Sequence, residues 1–447
     1  MKRFKKNRKS LFASIFILVP YLFSAVTFGQ TVRDSKTERT IARIEINGSV
    51  TSKNRTTRSG KANTKQRRTV AAFDDPVRII VRFKSRWRPE GQLGTHTERI
   101  RQRKQTLREA TGFVARISRH GPKEVRTYET IPLVSMVIER KDIQRLKRFS
   151  QVIALQEDIP AELHLASSSP VVGANTVQTS GYGGEGQTVV IIDTGVDTNT
   201  NNPNFTPGQI VAQGCFNQAT ANFLNGTTTN LCPGGAVNLT GVVAINQNAG
   251  DDICGPPVGA TGTCEHGTHV ASIAAGVNGV APRANIIALQ VFSFLANPNP
   301  LPPVPGINLF CAGGAGAQCI MAWQADIIAA LNEATVLADS FDIAAVNMSL
   351  GDGNNNNAAC DGDLRKVAID NLRSRGVATV VSSGNEGFVN GMGAPACVST
   401  AISVGNTVDT DLPTADASTG GNPYATDLVW RSSNVAPFLD LHAPGTF

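Results

Sequence analysis

The sequence predicts a doubly wound α/β fold with a mostly parallel sheet, preceded by a small α+β unit. Short apolar runs recur after Ser167, at 189–192, 286–292, 343–346, 377–381 and 401–404, each bounded by turn residues. Runs of this length without alternation fit strands buried on both faces. Helical periodicity lies between them, over 266–275, 323–337 and 363–375, where the crossovers of a parallel sheet belong. The third observation is a break in charge. Residues 1–169 hold 36 Lys/Arg against 15 Asp/Glu, a net of +21, and residues 170–447 hold 6 against 20, a net of −14, together the +7 of the whole chain.

The first residues are not part of either unit. Residues 1–9 carry six Lys/Arg, residues 11–28 are almost wholly apolar, and the small residues Thr27 and Gly29 follow. This is the pattern of a secretory signal peptide, assigned to 1–30. A membrane anchor is the competing reading, and Pro20 inside the run argues for cleavage and for a secreted, extracellular protein with no stable membrane anchor. Residues 31–76 are rich in Thr, Arg, Lys, Ser and Asn without apolar periodicity, as in a basic disordered linker.

The small unit spans 77–165. Strand-like alternation at 77–83 is followed by a charged helix at 97–111, strands at 113–118 and 132–138, a short helix at 141–149 and a last strand at 152–156. That β-α-β-β-α-β order is ferredoxin-like. A basic unit alone suggests nucleic acid or an anionic membrane as partner. The charge split instead gives it an acidic partner in the same chain, suiting an intramolecular inhibitor or chaperone whose hold is weakened by salt. No nucleic-acid partner is therefore expected.

All eight cysteines lie in the acidic part, and an even count behind a signal peptide predicts disulfides. Nearest-neighbour pairing (215–232, 254–264, 311–319, 360–397) would staple four Gly/Asn-rich loops.

Asp193 closes the run Val189-Val190-Ile191-Ile192 and precedes Thr194-Gly195. Alone it is as readily structural as catalytic. The segment Glu265-His266-Gly267-Thr268-His269-Val270-Ala271-Ser272 would set His266 at a helix start, with Gly267 leaving room for a peptide and His269 on the packed side. Zinc on Cys264, His266 and His269 does not fit the two-histidine helical spacing, so no metal is assigned.

With Gly279-Val280-Ala281-Pro282 downstream, these segments resemble the Asp and His blocks of the subtilisin family of serine peptidases. Asn347-Met348-Ser349-Leu350-Gly351 resembles its substrate-pairing strand, and Ser382-Ser383-Gly384-Asn385-Glu386-Gly387 its oxyanion block. The resemblance covers 170–447 and implies a secreted endopeptidase precursor acting on protein or peptide substrates as a monomer. It implies His266 as base, Asp193 as its orienting carboxylate and Asn385 as oxyanion donor. Ser349, Leu350 and Gly351 would pair with substrate backbone, and Ser382, Ser383 and Gly384 would line its pocket. The small unit resembles the inhibitory propeptide of such enzymes. The nucleophilic serine is expected roughly 17–20 residues past Phe447, because Ala443-Pro444-Gly445 matches the segment upstream of it; the 447 residues alone would then be inactive. The alternative is a pseudo-peptidase that binds peptides without cutting them. Family members often bind calcium, but no run here matches a calcium loop, and Asp251, Asp252 and the acids at 361–363 read as solvated.

Overall fold

The computed structural model describes residues 76–163, 172–197, 202–218, 227–232, 238–241, 265–296, 318–409, 411 and 425–446. The signal segment, the linker up to residue 75, Asp251, Asp252, Cys254, Cys264 and Cys311 lie outside them, as does the side chain of Cys319.

The first element group is β1 (Pro76–Phe83), α1 (His96–Arg116), β2 (Lys123–Thr127), β3 (Leu133–Glu139), α2 (Ile143–Lys147) and β4 (Val152–Glu157). The strands form one antiparallel sheet in the order β2-β3-β1-β4. Period-2 alternation sorts its side chains. Val77, Ile79, Val81 and Phe83 pack with Ala110 and Phe113 of α1 and with Ile143 and Leu146 of α2. Ile80, Tyr128 and Leu133 join the large core of the remaining chain instead.

One expected strand, at 113–118, is the end of α1. Arg103, Thr106, Ala110 and Phe113 make one buried stripe that Ile117 continues past the helix end, a spacing of three and four that keeps the segment helical. The helix starts on a capping box, Thr95 accepting from Glu98 N and Glu98 accepting from Thr95 N. The second strand is Lys123–Thr127, too short and too charged to read as one.

The rest of the chain contributes β5 (Pro160–Leu163), α3 (Ala174–Thr179), β6 (Thr188–Asp193), β7 (Ile210–Phe216), β8 (Thr227–Thr229), β9 (Asn238–Gly241) and α4 (His266–Ala275). After these come β10 (Asn285–Gln290), β11 (Phe292–Ala296), β12 (Gln318–Trp323), α5 (Gln324–Leu337), β13 (Ile343–Met348) and β14 (Leu350–Gly351). The last elements are α6 (Arg365–Ser374), β15 (Ala378–Ser382), β16 (Ile402–Val408) and β17 (Leu441–Thr446). Eight strands form the main sheet in the order β17-β16-β15-β13-β6-β10-β7-β9, parallel except for the β7–β9 pair.

Both faces of this sheet are covered, as apolar runs without alternation require. Val190, Ile192, Ile287 and Leu289 pack toward α5 and α6. Their neighbours Ile191, Ile286 and Ala288 pack toward Val270, Ala271 and Ala275 of α4. The architecture is therefore the doubly wound α/β sheet expected. The disulfides Cys215–Cys232 and Cys360–Cys397 are present, two of the four nearest-neighbour pairs; the other two fall outside the described residues.

Candidate active site

Parallel strands bring their carboxyl ends to one edge, where loops from several strands converge. β13 lies between β6 and β15, so Asp193, residues 349–351 and residues 382–385 all leave the sheet at that edge. Asp193 is fully buried, and its Oδ1 lies 2.7 Å from His266 Nδ1 while accepting the Thr194 N–H at 2.7 Å. An imidazole whose Nδ1–H is held by a carboxylate leaves the lone pair on Nε2, the arrangement a general base needs. Asp193 Oδ2 is buried without a partner among the described residues.

The turn after β6 grips the start of α4. Gly267 N donates to Thr194 Oγ1 at 2.9 Å and Thr268 Oγ1 accepts from Asp197 N at 2.7 Å. The space at Gly267 belongs to this contact and not to a peptide, because a Cβ there would sit 2.0 Å from the Gly195 carbonyl oxygen. Gly267→Ala should therefore pry His266 from Asp193 and destabilise the fold by about 3 kcal/mol; urea unfolding midpoints would show it. His269 is exposed rather than packed. It lies on the solvent side of α4 next to buried Val270, and partial desolvation first and neighbouring His266 second lower its pKa.

Asn385 is half-buried in the loop after β15. Gly384 holds φ +112°, and Asn434, some 50 residues downstream, pins the loop from below. Asn434 is fully buried; its Nδ2 donates to Ser383 O at 3.0 Å and to Glu386 Oε2 at 2.5 Å, while Oδ1 accepts from Phe388 N at 2.9 Å. Ser383 is buried as well, its hydroxyl donating to Asn434 O at 2.9 Å. It thus builds the loop wall and does not point its hydroxyl into a pocket. Sequence inspection missed Asn434, since the backbone groups and the Glu386 carboxylate it binds are brought near only by the fold.

Residues after Gly351 are held just as firmly. Asp352 Oδ1 accepts from Ala394 N at 2.9 Å and from Asn354 N at 3.2 Å, and Asp352 N donates to Ala394 O at 3.0 Å. Arg365, with no exposed surface, sits 2.7 Å from Asp363 Oδ2 and 3.8 Å from Asp352 Oδ2. Asp363 is thus the partner of a buried cation and not a solvated acid. Asp361 is exposed and accepts from Ser399 N and Oγ.

A second sheet, in the order β14-β5-β12-β11-β8, crosses this edge. β5 lies in it between β14 and β12, antiparallel to β14 (Leu163 opposite Leu350, Glu162 opposite Gly351) and to β12 (Ala161 opposite Ala322, Pro160 opposite Trp323). Just upstream, Asp158 Oδ1 accepts from Ala325 N at 2.9 Å and Gln156 Oε1 from Leu364 N at 2.9 Å. Both acceptors meet the orphan N–H groups at the starts of α5 and α6, which lack caps of their own apart from Asp363.

The small sheet meets α5 through buried ion pairs. Arg126 Nη1 lies 2.5 Å from Asp326 Oδ1, with 5% and 0% of the side chains exposed. Arg103 and Arg99 reach Asp339 at 2.9 and 3.2 Å. The charge split is thus realised by few, mostly dry contacts, which salt screens far less than surface attraction. Glu333 of α5 is the reverse case. Burial first and the Glu129 carboxylate second push its pKa up from 4.5 to about 6, against nearby Arg103. The folded chain therefore holds this proton more tightly than the unfolded one. Its contribution is complete below pH about 4.5 and lost as pH rises through about 6. Glu333→Gln should remove that fall, worth about 2 kcal/mol, from urea midpoints compared across this range.

Among the described residues no helix is long and apolar enough to cross a membrane, and no group of three or more His, Cys, Asp or Glu could hold a metal. The sequence profile of the subtilase family matches residues 184–446. The chain is 26% identical over 290 residues to a subtilisin-like protease of Arabidopsis thaliana, covering 62% of this chain and 37% of that protein. It is 29% identical over 260 residues to the minor extracellular protease Vpr of Bacillus subtilis, covering 57% and 24%. Among solved structures, a cold-adapted subtilisin-like serine proteinase aligns over 59% of this chain and 64% of that one, at 23% identity and a TM-score of 0.31. The chain thus spans 37% and 24% of the length of these two curated relatives. With that profile covering more than half of the 447 residues, on a doubly wound parallel sheet, the chain belongs to the subtilase family.

Proposed function

We propose that this chain is the precursor of a secreted serine endopeptidase, with His266 as general base, Asp193 as its orienting carboxylate and Asn385 as oxyanion donor. The observation that carries the reading is the buried 2.7 Å contact of His266 Nδ1 with Asp193 at the sheet's carboxyl edge. In this reading a serine encoded downstream of Phe447 gives its proton to His266 Nε2 as it attacks the substrate carbonyl. The resulting oxyanion forms beside the Asn385 amide, and Ser349, Leu350 and Gly351 align the extended peptide by strand addition.

Residues 77–165 act here as an inhibitory propeptide. Support comes from β5, which occupies the cleft as a third strand between β12 and β14, as a peptide substrate would. The signal segment 1–30 would deliver the precursor to the outside, where the two disulfides persist.

The product of the extended reading frame, freed of its propeptide, should be labelled by a serine-directed fluorophosphonate and should cut a denatured protein. A correctly folded product that takes no label but still binds extended peptides would replace this reading by the pseudo-peptidase one.

A further inference from the structure

The small sheet gives one face to α5 and the other to α1 and α2. The outer surfaces of α1 and α2 therefore lie on the side of the small sheet away from α5, and among the described residues the one acid of the large core that pairs with α1 is Asp339, which takes His96, Arg99 and Arg103 near the helix start. That surface is strongly basic. Arg101, Lys104 and Arg108 are exposed along one stripe of α1, and Lys141, Lys147 and Arg148 are exposed at the ends of α2. Glu98 is the one exposed carboxylate among the described residues of the two helices. Like charges three and four residues apart weaken a helix, so this stripe has a cost in the isolated protein. Arg86 and Arg88 extend the basic surface along one edge, where with Arg101 they line a cavity of about 220 Å³.

Among the described residues most of the basic surplus of the small unit thus has no acidic partner in the large core, contrary to what the charge split alone suggests. We propose that this face docks the chain peripherally on an anionic lipid bilayer, Arg and Lys heads against lipid phosphates. A planar polyanion suits cations spread over the outer surface of two helices better than a grooved ligand does. The apolar run at 11–28 would bring the domain to a membrane in the first place, so the inference rests on the secretion reading. Residues 170–447, with 6 Lys/Arg against 20 Asp/Glu, are repelled by the same surface. Removal of residues 77–165 would then release the remainder into solution.

Vesicle flotation of the secreted precursor tests this, with phosphatidylcholine alone and with added phosphatidylglycerol, at low and high salt. Binding should need the anionic lipid and should be lost at high salt. Each cation contributes about fivefold; Arg101→Gln, Lys104→Gln and Arg108→Gln together should weaken binding by about 100-fold. Lys141→Gln, Lys147→Gln and Arg148→Gln should act alike, with unfolding midpoints unchanged in both variants. Parent-like flotation of both triple variants would assign the binding to the linker and overturn the proposal. So would equal binding to neutral vesicles, or displacement of the precursor from anionic vesicles by double-stranded DNA at equal charge. Fluorophosphonate labelling is independent of every one of these outcomes, so failure here leaves the peptidase reading standing.

Discussion

Under the proposed serine-peptidase mechanism, Asp193→Asn is expected to lower kcat by about 10⁴ while leaving KM nearly unchanged. Asp193 is fully buried and its contacts are with His266 and Thr194, so it acts through the imidazole. An amide in its place has two orientations, both poor. With oxygen at the Oδ1 position it keeps both hydrogen bonds, but the charge that stabilises the imidazolium is gone and an NH₂ is buried where Oδ2 already lacks a partner. Turned over, its NH₂ faces the Thr194 N–H and forces the proton of His266 onto Nε2, where the ring can no longer accept from serine. Steady-state kinetics on a variant with parent-like unfolding would decide; a loss below tenfold would remove Asp193 from the mechanism.

Arg126→Ala is expected to lower the unfolding free energy of the chain by about 3–5 kcal/mol. The substitution strands Asp326, which has no exposed surface and whose pKa burial already pushes up, with Arg126 the first of the groups that offset it. Gln218 N at 3.2 Å remains as a partner but is neutral. Adding Asp326→Leu should recover much of the loss, because the pair costs desolvation that an apolar residue does not. Urea titrations of the two single variants and the double variant at low and high salt would measure the coupling. A coupling that collapses at high salt would mean the pair is wet, contrary to its burial.

How far the sequence reaches depends on what each feature needs. Helix α4 could be bounded from residues alone, since Gly276 ends it and His266 opens it. Asp193 and His266 could be chosen because a strand end and a helix start are local properties. Phe113 misled because Phe-Val-Ala-Arg-Ile is a short, mostly apolar run, and only the stripe through Arg103 and Ala110 shows that the helical period continues. His269 misled because Val270 beside it and His266 one turn before it are buried, while His269 itself is exposed. Strands β5, β12 and β14 have no pattern of their own; each is a strand only because another edge lies beside it. Asn434 and Arg365 were invisible for a related reason. A buried polar side chain is permitted by partners that arrive from elsewhere in the chain, and no spacing rule announces them.

The pairing of β5 with β12 and β14 also has a consequence in time. A ribosome adds about 5–20 residues per second. Leu163 is therefore outside roughly ten to forty seconds before its partner Leu350 exists. Strand β5 is made first, and the two strands that flank it are made afterwards. Two strand edges that would otherwise wait with unpaired amides, open to any extended segment of a neighbouring nascent chain, thus meet a tethered partner as they appear. Vectorial synthesis thus gives β12 and β14 their shared neighbour before either is made.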